Sequence, residues 1–394
     1  MFYLIVFGII LLLAVLNIQF HDKLSNQVFM GVSALIMMAV AGLRFETGGD
    51  WDSYKLLFDW FPPFHDLITH PSELARQPVE EGFVLLCAFV KMQGGTIQEL
   101  FIVVAVINIL LVSVSLPKYT KYPVVALLCY YCILFFQLEM IYIRQATAVA
   151  ICFFAIRYID QRKFFKYMLL VLLACTFHRV AMLMIPLYFV LHKRVPTWVY
   201  AGVIGFGALI MLLGVPWIRS IYFTVAGLLG GNYTTKAEIY ADDNLFAVSR
   251  GLSIGFVLNL AILFIVLCFK KKIDEKPYGT ILLNMFALSL VFYYYAFEFV
   301  EASNRVRYFF LIGVIALLPM VLEFLPIYLH RLAGLGIITI YCFSFSMGIF
   351  LETPQAAAYN PYQNYLEFRH KPKESTGQKR LEESKKAFRE ERKR

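Results

Sequence analysis

A series of continuous apolar runs constrains this chain more than any other feature of its sequence. About 20 apolar residues in a helix cross roughly 30 Å of hydrocarbon, and most of the runs approach that length. Because the runs are continuous and do not alternate, they predict helices rather than a barrel. The runs span 2–20, 28–43, 97–116, 122–137, 140–159, 164–177, 180–191, 197–214, 251–269, 278–297, 306–326 and 332–350.

Composition agrees with a membrane location. Of the 394 residues, 60% are hydrophobic and 16% are charged, which leaves too little polar surface for a soluble domain. The run 2–20 lacks a basic segment and a small-residue cleavage site, so we expect a retained helix rather than a signal peptide. The run 83–92 is too short to cross, so we expect a half-helix or re-entrant segment. We therefore predict an all-α polytopic integral membrane protein with about 12 or 13 transmembrane or half-transmembrane helices.

The net charge of +9 comes from Lys and Arg in short loops and in the C-terminal tail. This distribution favours membrane orientation over nucleic-acid binding, because basic loops stay cytoplasmic. The arrangement is consistent only if 83–92 does not cross. It also puts the strongly basic tail on the outer side, which conflicts with the same rule. The segments that then face outward are 44–80, 215–250, the turns near 138, 178 and 301, and the tail from Leu351.

We predict one transmembrane catalytic domain, residues 1–350, with outer loops at 44–80 and 215–250. The polar, basic tail 351–394 is expected to form a solvated helix or to be disordered. Metal-ligand spacings, phosphate-binding loops and nucleotide-binding glycine motifs are absent from the sequence, so no metal and no cofactor is predicted.

Ionisable residues near membrane depth are costly and tend to mark a site. The stretch "RFETGGDWDSY" runs from Arg44 to Tyr54 and breaks an apolar run abruptly. Its paired glycines permit a tight turn that brings Asp50 and Asp52 toward the membrane surface. Asp50 is a favourable N-cap residue and lies four residues before Tyr54. An ordinary capped loop would give the same pattern.

A second candidate is Arg144 in "MIYIRQATAVAICFFAIRYI". Small residues follow it, so another helix or a lipid can approach closely. Glu139 is its only nearby acid in the sequence, which favours an anionic ligand. An arginine whose charged end reaches the interface is the alternative.

A third candidate is His178, which lies between two apolar runs that are short for full spans. We expect a hairpin whose tip carries His178. A lone histidine is more often a structural residue than a functional one.

The fourth candidate is "FEFVEASNRVRYFF". Glu298, Glu301 and Arg305 have the spacing of one helical stripe. An ion pair can account for Glu301 and Arg305, whereas Arg307 is left without a partner. Arginine forks suit phosphate oxygens, and carboxylates or histidine suit general-base work on a hydroxyl. Together the four clusters predict a site for a lipid-linked phosphate or pyrophosphate at the outer leaflet.

The motifs resemble those of the EpsG family, which is similar to the Wzy-type polysaccharide polymerases of bacterial inner membranes. The resemblance covers roughly residues 30 to 350. Where the family usually has Gly-Thr-Asp-Tyr-x-Asn-Tyr, this chain has "GGDWDSY", so the role of the aspartate carries over to Asp50 and that of the threonine hydroxyl does not. The matching stretches are "LRFETGGDWDSY", "EEGF" at 80–83, "IRQATAVAICFFAIRYIDQRKFFKY" and "ACTFHRVAMLMIPLYF".

The resemblance implies a GT-C-like fold and a polymerase that joins undecaprenyl-pyrophosphate-linked oligosaccharide repeat units into a surface polysaccharide. It implies a multi-pass protein of the bacterial inner membrane whose site faces the periplasm or exterior. It also implies no metal or nucleotide, because the lipid pyrophosphate is itself the leaving group. The expected partners are the lipid-linked donor and acceptor, the bilayer and a candidate chain-length regulator.

The same resemblance lets us assign expected roles. Asp50 would take the proton from the acceptor hydroxyl, with His178 as the rival base. If His178 is the base, activity is expected to fall as the pH drops through roughly 6.5. The arginines expected to hold pyrophosphate are Arg44, Arg144, Arg305 and Arg307, and the other expected substrate contacts are Trp51, Asp52, Tyr54, Trp60 and Glu301.

Two other classes remain open at this point. A lipid-linked oligosaccharide flippase or another transporter would also place arginines in a membrane, but along two related halves. A membrane O-acyltransferase would also use an embedded histidine, but with a thioester donor reached from the cytoplasm.

Overall fold

The computed structural model describes residues 1–221 and 252–391. Within these residues the regular elements are helices, and the β-type pairing is one isolated bridge between Arg44 and Asn364. Five described helices are long and apolar enough to cross a membrane: Phe2–Gln19, Lys23–Gly42, Ile97–Tyr119, Val300–Leu322 and Tyr328–Phe350. Shorter apolar helices are Pro123–Leu138, Phe164–Cys175, Thr197–Leu212, Ile254–Cys268 and Gly279–Tyr295. The chain is an all-α polytopic membrane protein, as predicted.

Two predicted runs are interrupted. The run 140–159 begins with a turn, and its main helix is Ile143–Ala155. The run 180–191 becomes a 3₁₀ helix, Arg179–Leu183, and one α-turn, Met184–Leu187, instead of a continuous helix. The remaining short elements are Trp51–Trp60, Phe64–Thr69, Ser72–Ala75, Glu81–Met92, Arg157–Asp160, Lys270–Asp274, Pro354–Ala356, Tyr365–Phe368, Pro372–Glu374 and Gly377–Glu391.

The helix Val300–Leu322 lies at the centre of the bundle, where every residue from Arg307 onward is buried. It packs most extensively against Gly279–Tyr295. A Cβ atom on Gly313 would lie 2.6 Å from the carbonyl oxygen of Leu282, so glycine is needed for this close approach of the two backbones. The central helix therefore fixes the position of Glu301, Arg305 and Arg307 at its first turns.

The basic loops that the sequence predicts to be cytoplasmic meet at one end of the bundle. Lys276 Nζ donates to Glu323 Oε2 at 2.7 Å, and the same carboxylate accepts from the Lys121 backbone at 2.8 Å. Arg194 Nη2 donates to the carbonyl of Asp274 at 2.7 Å. These contacts join loops that are far apart in sequence.

The turns predicted to face outward meet at the opposite end. The Tyr142 hydroxyl donates to Glu301 at 3.0 Å, and Trp217 Nε1 donates to the Tyr295 carbonyl at 2.9 Å. Glu80 pairs with Arg144 across a long stretch of chain. The rest of the outer loop 215–250, with its Gly-Gly-Asn-Tyr and Asp-Asp-Asn stretches, lies outside the described residues from 222 onward.

The short apolar segment begins and ends at the same end of the bundle. Its helix, Glu81–Met92, has 12 residues and measures about 18 Å at 1.5 Å per residue. At its start the Gly82 amide donates to Thr176 at the outer end. Beyond its last residue, Gln98 Nε2 donates to the carbonyl of Gly42, where a membrane helix ends at the same end. Both ends of this helix therefore lie at one end of the bundle, as the sequence predicts for a segment that does not cross.

The C-terminal tail lies at the end of the outer turns. The Phe45 amide donates to Gln363 at 2.8 Å and the Tyr365 amide donates to Leu43 at 2.7 Å. The tail helix, Gly377–Glu391, buries Leu381 on one face. One face of this helix is therefore packed on the protein, whereas the sequence predicts solvent or disorder all round.

Candidate active site

Asp50 lies at the start of the helix Trp51–Trp60, in the loop predicted to face outward. It occupies the N-cap position, but its side chain makes no capping hydrogen bond, so its carboxylate is not used by the helix. The preceding turn is pressed against the turn 139–142, because a Cβ on Gly48 would lie 2.3 Å from the Met140 carbonyl oxygen and Gly48 has a φ of +105°. Burial raises the pKa of Asp50, the nearby Asp52 charge raises it further, and Lys385 and Arg305 oppose the rise.

A second group joins Glu80, Arg144 and His178. Arg144 Nη1 donates to Glu80 Oε2 at 2.5 Å, and the two side chains are 27% and 12% exposed. The other carboxylate oxygen of Glu80 accepts from the Arg179 backbone at 3.3 Å. Burial alone would raise the pKa of Glu80, but its hydrogen bonds and the Arg144 charge lower it. This carboxylate therefore stays ionised between a guanidinium and the tip of the hairpin.

His178 caps the 3₁₀ helix that follows it, with Nδ1 accepting from the Val180 amide at 3.3 Å. Burial lowers the pKa of the imidazole to about 4. The positive charges of Arg144 and Arg305 lower this pKa further, whereas the charge of Glu80 raises it. An Nδ1 that accepts is unprotonated, so the proton of the neutral ring is on Nε2. The histidine is therefore neutral near pH 7.

Gly82 brings Glu80 to the hairpin tip. Its amide donates to the Thr176 carbonyl at 2.8 Å, and a Cβ at this position would lie 2.4 Å from Thr176 Oγ1. The glycine of "EEGF" is therefore needed for close contact between two segments that carry functional candidates.

Arg305 connects the two groups. Its Nε donates to Glu301 at 3.1 Å, and its guanidinium lies 5.6 Å from the ring centroid of Tyr142. Both Asp50 and His178 interact electrostatically with Arg305. The predicted ion pair between Glu301 and Arg305 is confirmed. Glu298 is not on this stripe, because the helix begins at Val300 and Glu298 accepts from the backbone amides of residues 218 and 219.

A cavity of about 1000 Å³ is lined by Glu301 and Tyr142, the two side chains that Arg305 contacts, but Asp50, Arg144, His178 and Arg305 are not themselves among its lining residues. Arg307 is 4% exposed; its Nε donates to the Ser289 carbonyl at 3.1 Å and its Nη1 to Asn304 Oδ1 at 2.9 Å. The expectation that Arg307 lacks a protein partner is wrong. Apolar walls and polar groups are both present, as a lipid-linked anion requires. Lining residues on the bundle side include Gly49, Gln137, Tyr142, Leu311, Glu301, Asn304, Arg307 and Phe345.

The sequence model of the EpsG family matches residues 27–365, most of the chain. The chain belongs to the EpsG family. This is a family of Wzy-like polysaccharide polymerases, so the protein is a membrane protein of polysaccharide biosynthesis. No curated protein and no solved structure matches the chain.

The EpsG match includes every residue assigned a site role, but the structure separates those residues. Asp50, Arg144, His178 and Arg305 lie together at the end of the bundle that the sequence predicts to face outward. Arg44 does not line the cavity: it is 1% exposed, its guanidinium lies 4.4 Å from the Phe101 ring centroid, and its charge faces the buried Glu139.

The aromatic residues expected to contact the substrate are also placed differently from that expectation. Trp51 and Tyr54 are 8% and 6% exposed, because the helix Trp51–Trp60 is amphipathic and packs them into a small core with Phe83. They offer no open ring face to a sugar in this structure. Trp60 is 62% exposed and lies on the outer surface.

Sequence reasoning missed the partner of Arg144. The sequence places Glu139 closest, but Glu139 accepts from Tyr130 at 2.5 Å and from Asn108 at 3.0 Å instead. Glu80 belongs to the EpsG motif "EEGF", and the two adjacent acids before a glycine were the available signal. The pairing crosses 64 positions in sequence, so only folding could reveal it.

Sequence reasoning also missed the tail. Residues beyond 365 fall outside the EpsG match, yet Lys385 Nζ lies 3.4 Å from Asp52 Oδ2.

Within residues 1–221 and 252–391, no group of three or more His, Cys, Asp or Glu side chains is placed to hold a metal ion.

Proposed function

We propose that this EpsG-family protein joins undecaprenyl-pyrophosphate-linked oligosaccharide repeat units on the outer face of the bacterial inner membrane. The observation that carries the proposal is a partly apolar cavity whose lining residues Gly49, Tyr142 and Glu301 adjoin a cluster with two candidate bases and two arginines. The cavity suits a polyprenyl diphosphate, and the cluster suits a sugar hydroxyl.

In the proposed reaction an acceptor hydroxyl attacks the anomeric carbon of the donor sugar. A new glycosidic bond forms while the bond from that carbon to the pyrophosphate oxygen breaks. The base takes the hydroxyl proton, and the lipid pyrophosphate leaves with the bonding electron pair. Negative charge on the leaving group increases during this step, so Arg305 and Arg307 stabilise the transition state more than the ground state.

Asp50 is the proposed base and His178 the rival. The raised pKa of Asp50 improves its match to a hydroxyl proton, because a base works best when its pKa lies near the operating pH. Its carboxylate is also unused by the helix that it precedes. His178 is engaged at Nδ1 by the Val180 amide and has a pKa of about 4, which makes it a weak base.

The pairing with Glu80 changes the role proposed for Arg144. One amino group of its guanidinium is held by the carboxylate, and its Nε has no hydrogen-bond partner among the described residues. We propose that Arg144 contacts the leaving pyrophosphate through the free side of its fork, while Glu80 fixes its orientation.

Turnover of a purified lipid-linked repeat unit tests the proposal. The full chain in detergent or liposomes is expected to convert the unit into a ladder of longer products on a gel. A transporter would instead move the labelled unit across a liposome membrane without lengthening it. Translocation without elongation would overturn the polymerase proposal.

A further inference from the structure

The tail helix Gly377–Glu391 forms one wall of the cavity. Three cationic side chains and one carboxylate are found among the lining residues, and the tail supplies two of those cations. The bundle contributes Arg307 and Glu301, and the tail contributes Lys385 and Arg389. The charges of Arg307 and Glu301 cancel, so the lining carries a net positive charge that can attract an anion only when the tail is docked.

Buried contacts hold the tail in place. Arg380 is 4% exposed, and its Nη2 donates to the Glu46 carbonyl at 3.0 Å and to Gln363 Oε1 at 2.6 Å. Removing a buried charge-assisted hydrogen bond leaves its partner unpaired, so such contacts favour a single arrangement. Glu46 lies within the stretch Arg44–Tyr54, and the Gln363 carbonyl accepts from the Phe45 amide, so the tail is anchored on the stretch that carries Asp50.

Close packing adds to these hydrogen bonds. A Cβ on Gly377 would lie 2.3 Å from the Cβ of Glu46, so the start of the helix needs a glycine to reach this position. Ser384 donates to the Gln355 carbonyl, and Leu381 is 2% exposed. The buried face of the helix thus fixes which residues point into the cavity.

We infer that the tail completes a diphosphate-binding subsite, with Lys385 and Arg389 as direct cationic contacts to the ligand. The inference rests on the proposed function and names a part of its site that lies beyond the family match. Lys385 Nζ lies 3.4 Å from Asp52 Oδ2. The Lys385 side chain is 54% exposed, and a single ion pair made by so exposed an ammonium is weakly held, so a diphosphate of higher charge can take it over.

Binding of inorganic pyrophosphate to the purified full chain tests this subsite by isothermal titration calorimetry. Lys385→Gln and Arg389→Gln are each expected to weaken binding on the order of tenfold, because each removes one charge-assisted contact. Lys386→Gln is the matched control. Its side chain is 78% exposed and its ion partner is Glu390 at 3.9 Å, so binding should match that of the wild-type chain.

Asp52→Asn separates ligand binding from a merely structural tether. If Lys385 only holds the tail through Asp52, Asp52→Asn and Lys385→Gln must weaken pyrophosphate binding alike. If Lys385 contacts the ligand, Asp52→Asn removes a competing anion, and binding should be kept or become tighter. Equal losses in the two variants would overturn the subsite.

The outcomes distinguish this inference from the proposed function. Pyrophosphate binding that depends on Lys385 and Arg389, without elongation of a lipid-linked unit, would overturn only the polymerase. Elongation with an unchanged KM and unchanged pyrophosphate affinity in both variants would overturn only the subsite. No pyrophosphate binding by the wild-type chain would also overturn the subsite.

Discussion

At the scale of single residues, Arg144 is paired with Glu80 and is proposed to contact the pyrophosphate as well. We expect Arg144→Ala to abolish polymer formation while expression and membrane insertion stay normal. Arg144→Lys should also fail substantially, because an ammonium cannot make the planar fork. Chain length on a gel, beside the amount of protein in the membrane, measures the effect.

The control for Arg144 is Glu80→Gln. If Arg144 serves only to pair with Glu80, both variants should lose the same activity. If Arg144 contacts the pyrophosphate, Glu80→Gln frees its guanidinium and should keep clearly more activity than Arg144→Ala. Polymer of wild-type length from Arg144→Ala would end this assignment.

The identity of the base is also decided at single residues. With Asp50 as the base, Asp50→Asn should lose on the order of 10²–10⁴-fold in rate while donor binding is largely kept. His178→Ala should lose less, since it would affect only positioning. Rates of both variants on the same lipid-linked substrate decide between them, and near-normal turnover by Asp50→Asn would exclude the aspartate.

The pH profile does not separate the two candidates. The sequence predicts that a histidine base loses activity as the pH drops through roughly 6.5, but the pKa of His178 in the fold is about 4. The pKa of Asp50 is raised above its ordinary value near 3.8. Either base must be unprotonated to accept the hydroxyl proton, so activity should fall on acidification with either one.

At the scale of elements, Gly82 tests whether close docking of Glu81–Met92 on the hairpin matters. Gly82→Ala should lower turnover without unfolding the protein, because its Cβ would displace Thr176 and move Glu80 away from Arg144. Gly202→Ala is the matched control, since no atom lies within 4 Å of its Cβ position. Turnover and Tm are measured for both, and equal activities would contradict the role of this contact.

At the scale of the whole molecule, the two ends of the bundle predict labelling from opposite sides. In intact cells a membrane-impermeant maleimide should label Lys386→Cys on the tail and not Lys193→Cys at the basic end. Both should be labelled after the membrane is permeabilised, and the wild-type chain corrects for native thiols. The reverse pattern would put the site on the cytoplasmic side.

The whole site also predicts a response to chelators. We expect EDTA to leave turnover intact, because arginines are proposed to assist departure of the pyrophosphate. Complete inhibition that a divalent ion reverses would indicate a metal site at Asp50 and Asp52, or at Asp242 and Asp243, which lie outside the described residues.

The sequence by itself determined that this protein is an all-α membrane protein and which loops meet at each end of its helix bundle. Hydrocarbon thickness sets the length of an apolar run, so the boundaries of Phe2–Gln19, Ile97–Tyr119 and Gly279–Tyr295 could be predicted closely. The positions of Lys and Arg in the loops also predicted that the turns near 138, 178 and 301 lie at the same end. This prediction was possible because loop charge is a local property of the sequence.

Only the tertiary structure decided which of the charged residues share a site. The sequence predicts the same pyrophosphate contact for Arg44 and Arg144, but packing buries the first beside Phe101 and pairs the second with Glu80. The tail shows the same limit of sequence analysis. Its composition predicts a solvated helix or disorder, whereas Arg380 and Leu381 are buried in the structure. Partners and burial depend on contacts between distant segments, and the local pattern of a sequence carries no information about those distances.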